Sequence, residues 1–319
     1  MLRSENLRIA KKRRNNNYYT SLEDVEKELK YYTKDDPKIN AKNVFRGKSV
    51  YCPCDNYEWS AFWKYFYDRF DEIGLKRLVA TSYSGDDSPS YKCELYRDEH
   101  GSRIIALEKM KGNGDFRSDE CIKIMQTCDI LCTNPPFTFW KEILSLAVKN
   151  NKKFICIGNK NAVTFRETFL LIKENKIWLG VNKCNGIMYF AKEVNGPYKY
   201  GISACWFTNF DHFRRHQKLN LMTHYDPEKH KTYDNYYAIN ADKVNEIPDD
   251  YFDVIGVPIT FLQKYCPDQF EIIGLSEQNG RGLSEGLWHS DNPRLLKPYI
   301  NGKPKYARIF VKRKKEKEE

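Results

Sequence analysis

The chain has 319 residues, 41% of them hydrophobic, enough to bury one large core or two modest ones. No apolar run approaches the ~20 residues needed to cross a bilayer, and Met1-Leu2-Arg3-Ser4-Glu5 lacks the apolar stretch of a secretory signal. A net charge of +10 favours an anionic partner, nucleic acid ahead of membrane, and the ten scattered cysteines fit a reduced, cytoplasmic setting.

Residues 1–17 read as a basic arm, with Lys11-Lys12-Arg13-Arg14 placed to touch phosphates. Tyr18-Tyr19 follow, then Thr20 with Glu23 three residues on, which predicts a capping box and a helix burying Leu22, Val25 and Leu29. Lys48–Cys52 reads as the first core strand and leads into Pro53-Cys54-Asp55. The aromatics Phe62, Tyr65, Phe66 and Phe70 at helical spacing predict a buried helix over Trp59–Phe70. A second strand spans Arg77–Ser82, and Tyr91–Arg97 with Arg103–Glu108 forms a hairpin. Gly112-Asn113-Gly114-Asp115-Phe116 is a turn carrying a carboxylate and an aromatic ring, with a helix expected over Ser118–Gln126.

Asp129-Ile130-Leu131-Cys132 is a short buried strand that runs into Thr133-Asn134-Pro135-Pro136-Phe137. Proline has a fixed φ and no N–H to donate, so the strand must end there. Asn134 and Phe137 are therefore held at the carboxyl edge of a sheet, where ligands bind in open α/β folds. An amide oxygen, the Pro135 carbonyl and an aromatic face suit a flat heterocycle bearing an amino group. Further on, Phe139–Val148 is expected to be helical, Phe154–Ile157 a buried strand and Phe165–Glu174 a helix. Two long strands, near Trp178–Ala191 and Tyr198–Phe210, join through Asn195-Gly196-Pro197. Strands alternating with helices predict an α/β architecture with a doubly wound, mainly parallel sheet.

From residue 211 the pattern changes: Arg214, Arg215 and Lys218 lie in a basic, aromatic stretch, and Ser276–Pro293 is rich in Gly, Asn and Ser. The division expected is an arm over 1–17, a catalytic domain over 18–210, and a smaller, mostly irregular region over 211–319.

Three loops thus fall at carboxyl ends of strands: Pro53-Cys54-Asp55, Asp115-Phe116 and Asn134–Phe137. In this order the chain resembles the N6-adenine DNA methyltransferases, specifically the EcoRI-type adenine methylase family. The resemblance runs from Tyr18 to about Phe210, with further matches at Gly256–Phe261 and Tyr299–Gly302. It implies the fold of S-adenosylmethionine-dependent methyltransferases, S-adenosylmethionine as methyl donor and no metal. It also implies that Asn134, Pro135, Pro136 and Phe137 are catalytic, and that Tyr18, Tyr19 and Thr20 with Pro53, Cys54, Asp55, Asp115 and Phe116 contact the cofactor. The substrate implied is double-stranded DNA, with the target adenine flipped from the helix. The usual Gly-x-Gly after the first strand is replaced by Tyr51-Cys52-Pro53-Cys54-Asp55, and the acid that usually ends the second strand by Thr81-Ser82.

Pro53-Cys54 also suggests the nucleophile of cytosine methylases, and Cys52-x-Cys54 with Cys128-x₃-Cys132 suggests zinc. The first sits in the wrong loop and the second lacks paired ligand spacing. RNA adenine methylation, protein glutamine methylation and a DNA-binding module with an inactive cofactor site are the alternative functions. Candidate DNA contacts are Lys12 and Arg13 in the arm and Arg214, Arg215, Lys218 and Arg281 in the C-terminal region, where target recognition is expected. A cognate restriction endonuclease is an expected functional companion, without a stable complex. The expected location is cytoplasmic, in a protein of a prokaryotic cell or its phage.

Overall fold

The computed structural model describes residues 18–85, 88–182, 187–277 and 282–315. Lys12, Arg13 and Arg281 lie outside the described residues. The chain forms two compact units, one of residues 1–160 and 179–212, the other of 161–178 and 213–319. The sequence division at 210/211 leaves 161–178 with the first region, whereas in space this stretch groups with the second.

The first unit is organised by an eight-stranded sheet in the order β4-β3-β2-β1-β5-β6-β10-β7. Its strands are β1 (Ser49–Cys52), β2 (Arg77–Thr81), β3 (Tyr91–Arg97), β4 (Arg103–Lys109), β5 (Ile130–Thr133), β6 (Lys153–Asn159), β7 (Trp178–Leu179) and β10 (Ala204–Thr208). A separate ribbon pairs β8 (Met188–Phe190) with β9 (Tyr200–Ile202). The central strands β2, β1, β5 and β6 run parallel, and antiparallel β3 and β10 flank them. Every residue of β1 and β5 is buried, as expected for strands covered on both faces. The parallel register brings Cys52, Thr81 and Thr133 to one carboxyl edge. Because β4 runs with β2, its end at Lys109 delivers Met110–Arg117 to that same edge.

Helices cover the sheet. In α1 (Leu22–Thr33), Val25, Leu29 and Tyr32 are buried. Its N-cap is Ser21, whose hydroxyl accepts from the Asp24 amide at 3.1 Å, so the expected Thr20–Glu23 box is replaced by its neighbour one residue on. The aromatic stripe is buried as expected, though the helix breaks at Arg69 into α2 (Ala61–Asp68) and α3 (Phe70–Ile73). Ser118 caps α4 (Asp119–Gln126), and α5 (Trp140–Lys149) follows the prolines.

The two long strands expected over 178–210 are instead broken. The Gly180 amide still donates to the Trp206 carbonyl, but the Val181 and Asn182 amides turn to the Glu28 carboxylate, at 2.7 and 2.8 Å. The ladder ends where those donors leave it. Glu28 is fully buried and also accepts from the Tyr32 hydroxyl; burial pushes its carboxyl up, against the pull of these donors.

The second unit contains α6 (Arg166–Lys173) and a four-stranded sheet in the order β11-β12-β16-β13. These are β11 (Ile239–Asn240), β12 (Ile255–Pro258), β13 (Phe270–Leu275) and β16 (Arg308–Arg313), and β14 (Tyr299–Ile300) pairs with β15 (Lys303–Pro304) in a small ribbon. Tyr233, Tyr236, Ala238, Val254 and Phe310 form a packed cluster here, and loops and single 3₁₀ turns make up much of the remainder.

Candidate active site

At the end of β5 the chain leaves the sheet through the prolines. The Phe139 amide closes the next turn on the Pro136 carbonyl at 2.8 Å, which places the Pro135 carbonyl upstream of that turn. The Asn134 side chain is fixed by residues from the start of the chain. Its Nδ2 donates to the Tyr18 carbonyl at 2.6 Å and to the Thr20 hydroxyl at 3.0 Å. A carbonyl can only accept, so the nitrogen must face Tyr18 and the oxygen must face away. That oxygen, Oδ1, is buried and has no hydrogen-bond partner among the described residues. A buried acceptor left open is costly in a folded protein, which makes this oxygen a candidate to receive a donor.

The Phe137 ring, three residues on in the same turn, belongs to an aromatic group. It stacks with Tyr18 at 5.9 Å and 22°, and meets Phe190 edge-on at 6.1 Å and 83°. The segment carrying Tyr18 is held by a two-bond bridge between Tyr19 and Ala191, and the Tyr19 ring packs edge-on against Trp59 at 4.7 Å. Phe190 has no signal in the sequence beyond strand propensity; only the fold brings it here.

The remaining expected positions divide into open and committed groups. Asp55 is committed. Its carboxylate oxygens accept from the Ser60 and Thr133 hydroxyls, both at 2.6 Å, and its amide donates to the Thr81 carbonyl. Burial pushes its carboxyl up to about 6, against the pull of those two hydroxyls. Asp55 therefore joins the exit of β1 to Thr133, the residue before Asn134. Pro53 and Cys54 lie in the same turn, and burial pushes the Cys52 and Cys54 thiols well up, away from thiolate chemistry. Thr81 is buried and shares a 2.7 Å hydrogen bond with the Tyr51 hydroxyl, so the second strand offers no ribose ligand at that residue.

Asp115 stays near the surface. It forms a two-pronged ion pair with Arg117, at 2.9 and 2.5 Å, and the guanidinium lies over the Phe139 ring at 4.2 Å. Gly114, at φ +76°, sets this loop against the sheet: a Cβ there would stand 2.2 Å from the Ser82 carbonyl oxygen. Phe116 is buried and packs edge-on to Phe139.

Residues 6–314 match a protein family described as adenine-specific methyltransferase EcoRI. The chain belongs to this family. As an EcoRI-type enzyme it has close relatives along its whole length. The Type II methyltransferase M.EcoRI of Escherichia coli is 38% identical over 337 aligned residues, covering 97% of this chain and 96% of its own. M.MpnI of Mycoplasma pneumoniae is 35% identical over 83% of each chain, and M.MgeORF184P of Mycoplasma genitalium is 29% identical over 95% of this chain and 97% of its own. No solved structure matches. The chain is accordingly an adenine-specific methyltransferase with the α/β fold expected of that class.

Of the candidate DNA contacts in the second unit, Arg214 and Arg215 are half-buried in a 3₁₀ turn and Lys218 is exposed. Arg215 lies over the Trp178 ring at 3.4 Å, which uses one face of its guanidinium. No helix of the described residues is long and apolar enough to cross a membrane.

Proposed function

We propose that this methyltransferase transfers a methyl group from S-adenosylmethionine to the N6 amine of an adenine flipped out of duplex DNA. The observation that carries the reading is the buried, open Oδ1 of Asn134 in the turn that also carries the Phe137 ring. An adenine amine has two hydrogens; one meets Asn134 Oδ1 and the other the Pro135 carbonyl, while Phe137 stacks on the ring. Drawing both hydrogens to acceptors pulls the nitrogen lone pair out of ring conjugation and aims it at the donor. S-adenosylmethionine supplies, when bound, a methyl on a sulfonium, which needs no metal to be transferred. The amine nitrogen takes the methyl as the S–C bond breaks with its electron pair left on sulfur, and then gives one proton to water. Extruding the base costs a few kcal/mol, and holding the reactants in line can supply ~7–11 kcal/mol of the acceleration.

The groups proposed to hold the cofactor are the Tyr18–Thr20 segment, the Pro53–Cys54 turn and Asp115 with Phe116. Asp55 serves as their buried support. Arg214, Arg215 and Lys218, with Lys12, Arg13 and Arg281, are proposed to meet DNA phosphates, with target choice in 211–319. The Type II names of the relatives support a place beside a restriction endonuclease in a prokaryotic cytoplasm. Sequencing that reports modified bases, on DNA from cells expressing the chain, tests the reading. N6-methyladenine at one recurrent sequence is expected; its absence, with methyl transfer to RNA or to protein glutamine instead, overturns it.

A further inference from the structure

The amide of Asn134 can serve as an acceptor for the substrate amine in only one of its two orientations. Flipped by 180°, it would set Oδ1 about 2.6 Å from the Tyr18 carbonyl, acceptor against acceptor, and turn an NH₂ toward the incoming NH₂. Nothing within the Asn134–Phe137 turn chooses between the two. The choice is made by the Tyr18 carbonyl and by the Thr20 hydroxyl, which is 8% exposed and accepts the second amide hydrogen at 3.0 Å.

We propose that Thr20 and the Tyr18 carbonyl are positioning groups for methyl transfer: they lock the Asn134 amide with its oxygen toward the substrate, and they require an amide there in place of a carboxylate. This rests on the reading of Asn134 as the acceptor for the adenine amine. It moves the Thr20 hydroxyl from cofactor contact to the catalytic amide. Two further features agree with it. The helix cap that Thr20 could have provided is supplied by Ser21, which leaves the Thr20 oxygen to Asn134. The Tyr19–Ala191 bridge holds the backbone on either side, so the Tyr18 carbonyl is fixed in direction. An aspartate at 134 would place a carboxylate oxygen against that carbonyl, and no rotation of the side chain relieves the repulsion, because both of its oxygens are acceptors.

The test is single-turnover methyl transfer at saturating S-adenosylmethionine and saturating DNA, with dissociation constants for both measured in parallel. Thr20→Val, which keeps the shape and removes the hydroxyl, is expected to slow transfer roughly tenfold, the scale of one hydrogen bond. Both dissociation constants should stay within about twofold of wild type, and Thr20→Ser should restore the rate. In an Asn134→Ala background Thr20→Val should cost nothing further, since the group it positions is gone. Multiplying penalties in the double variant overturn the proposal. So does a raised cofactor dissociation constant with an unchanged saturated rate, which assigns Thr20 to the cofactor. Asn134→Asp tests the Tyr18 arm without touching Thr20: a loss of ~10²-fold or more is expected, and a near-wild-type rate overturns it. A fast Asn134→Ala enzyme would sink the underlying reading of Asn134. A slow one alongside a normal Thr20→Val enzyme sinks only the proposal made here.

Discussion

The Thr133 hydroxyl donates to the Asp55 carboxylate at 2.6 Å across 78 residues of sequence. This bond ties the exit of β1 to the residue that precedes Asn134, the proposed acceptor, and it places an acid inside the protein. Asp55 has a folded value of about 6 against an ordinary 3.8, so the folded state holds the proton more tightly than the unfolded chain. Stability on this account is highest below pH ~4 and declines as pH rises toward 6, where the buried group must ionise. Asp55→Asn keeps acceptor and shape and removes the charge. Its unfolding free energy should gain up to about 3 kcal/mol at pH 7, the size of a two-unit shift, and lose most of its dependence between pH 4 and 6. Denaturant titrations across that range check it; parallel curves for both proteins would refute the assignment.

Asn134→Ala should slow single-turnover transfer by 10²–10³-fold, about 3–4 kcal/mol, the typical loss when one preorganised polar group is removed. Binding of DNA and cofactor should change little, because the interaction matures in the transition state. A near-normal rate would leave the Pro-Pro turn as a mere strand end.

Phe137 is proposed to act on the extruded base. Phe137→Ala should weaken stacking by ~1–3 kcal/mol, seen as lower fluorescence of a 2-aminopurine placed at the target adenine. Phe137→Trp keeps a flat ring beside Tyr18 and Phe190 and should retain most of the signal. Equal signals from the Ala and Trp variants would remove Phe137 from the stacking role.

Asp115→Ala should weaken cofactor binding by ~1–3 kcal/mol through loss of an acceptor. Arg117→Ala is the useful companion, since it frees the carboxylate from its two-pronged ion pair. Calorimetry on both variants decides: unchanged affinity in a folded Asp115→Ala protein rejects the assignment.

DNA affinity should fall linearly on a log–log plot against salt, as condensed ions are released. Lys218→Ala and Arg214→Ala should each lower the slope by about one unit and weaken binding uniformly across sequences. An unchanged slope in both would take this turn off the DNA.

The turn at the candidate site was legible because it is encoded locally. Two prolines end β5 at Thr133, and the alternation of apolar strands with helices gives the sheet. The partners of the site residues were not legible. Asp55 is an acid in a strand-end loop, and nothing in its neighbourhood signals that Ser60 and Thr133 consume both its oxygens. The sequence reading put the cap on Thr20; the structure caps the helix with Ser21, while Asn134, 114 residues away, takes the Thr20 oxygen. The first of the long strands expected over 178–210 stops after Leu179, where Glu28, in the first helix, takes the Val181 and Asn182 amides. In the second unit, β12 pairs with β16 across some fifty residues, and strands this short carry little periodicity of their own.

The bridge between Tyr19 and Ala191 also sets a time order on the making of the enzyme. Tyr18–Thr20 leave the ribosome early, Asn134 follows 114 residues later, and Ala191 later still. At ~5–20 residues per second, the first segment waits several seconds at least for its partners. The lock on the amide closes only when chain from three distant places has met, and contacts of such long separation are slow to form. A ribosome-bound chain halted before residue 191 emerges should therefore carry the Asn-Pro-Pro-Phe turn without the means to aim it, and remain silent toward DNA.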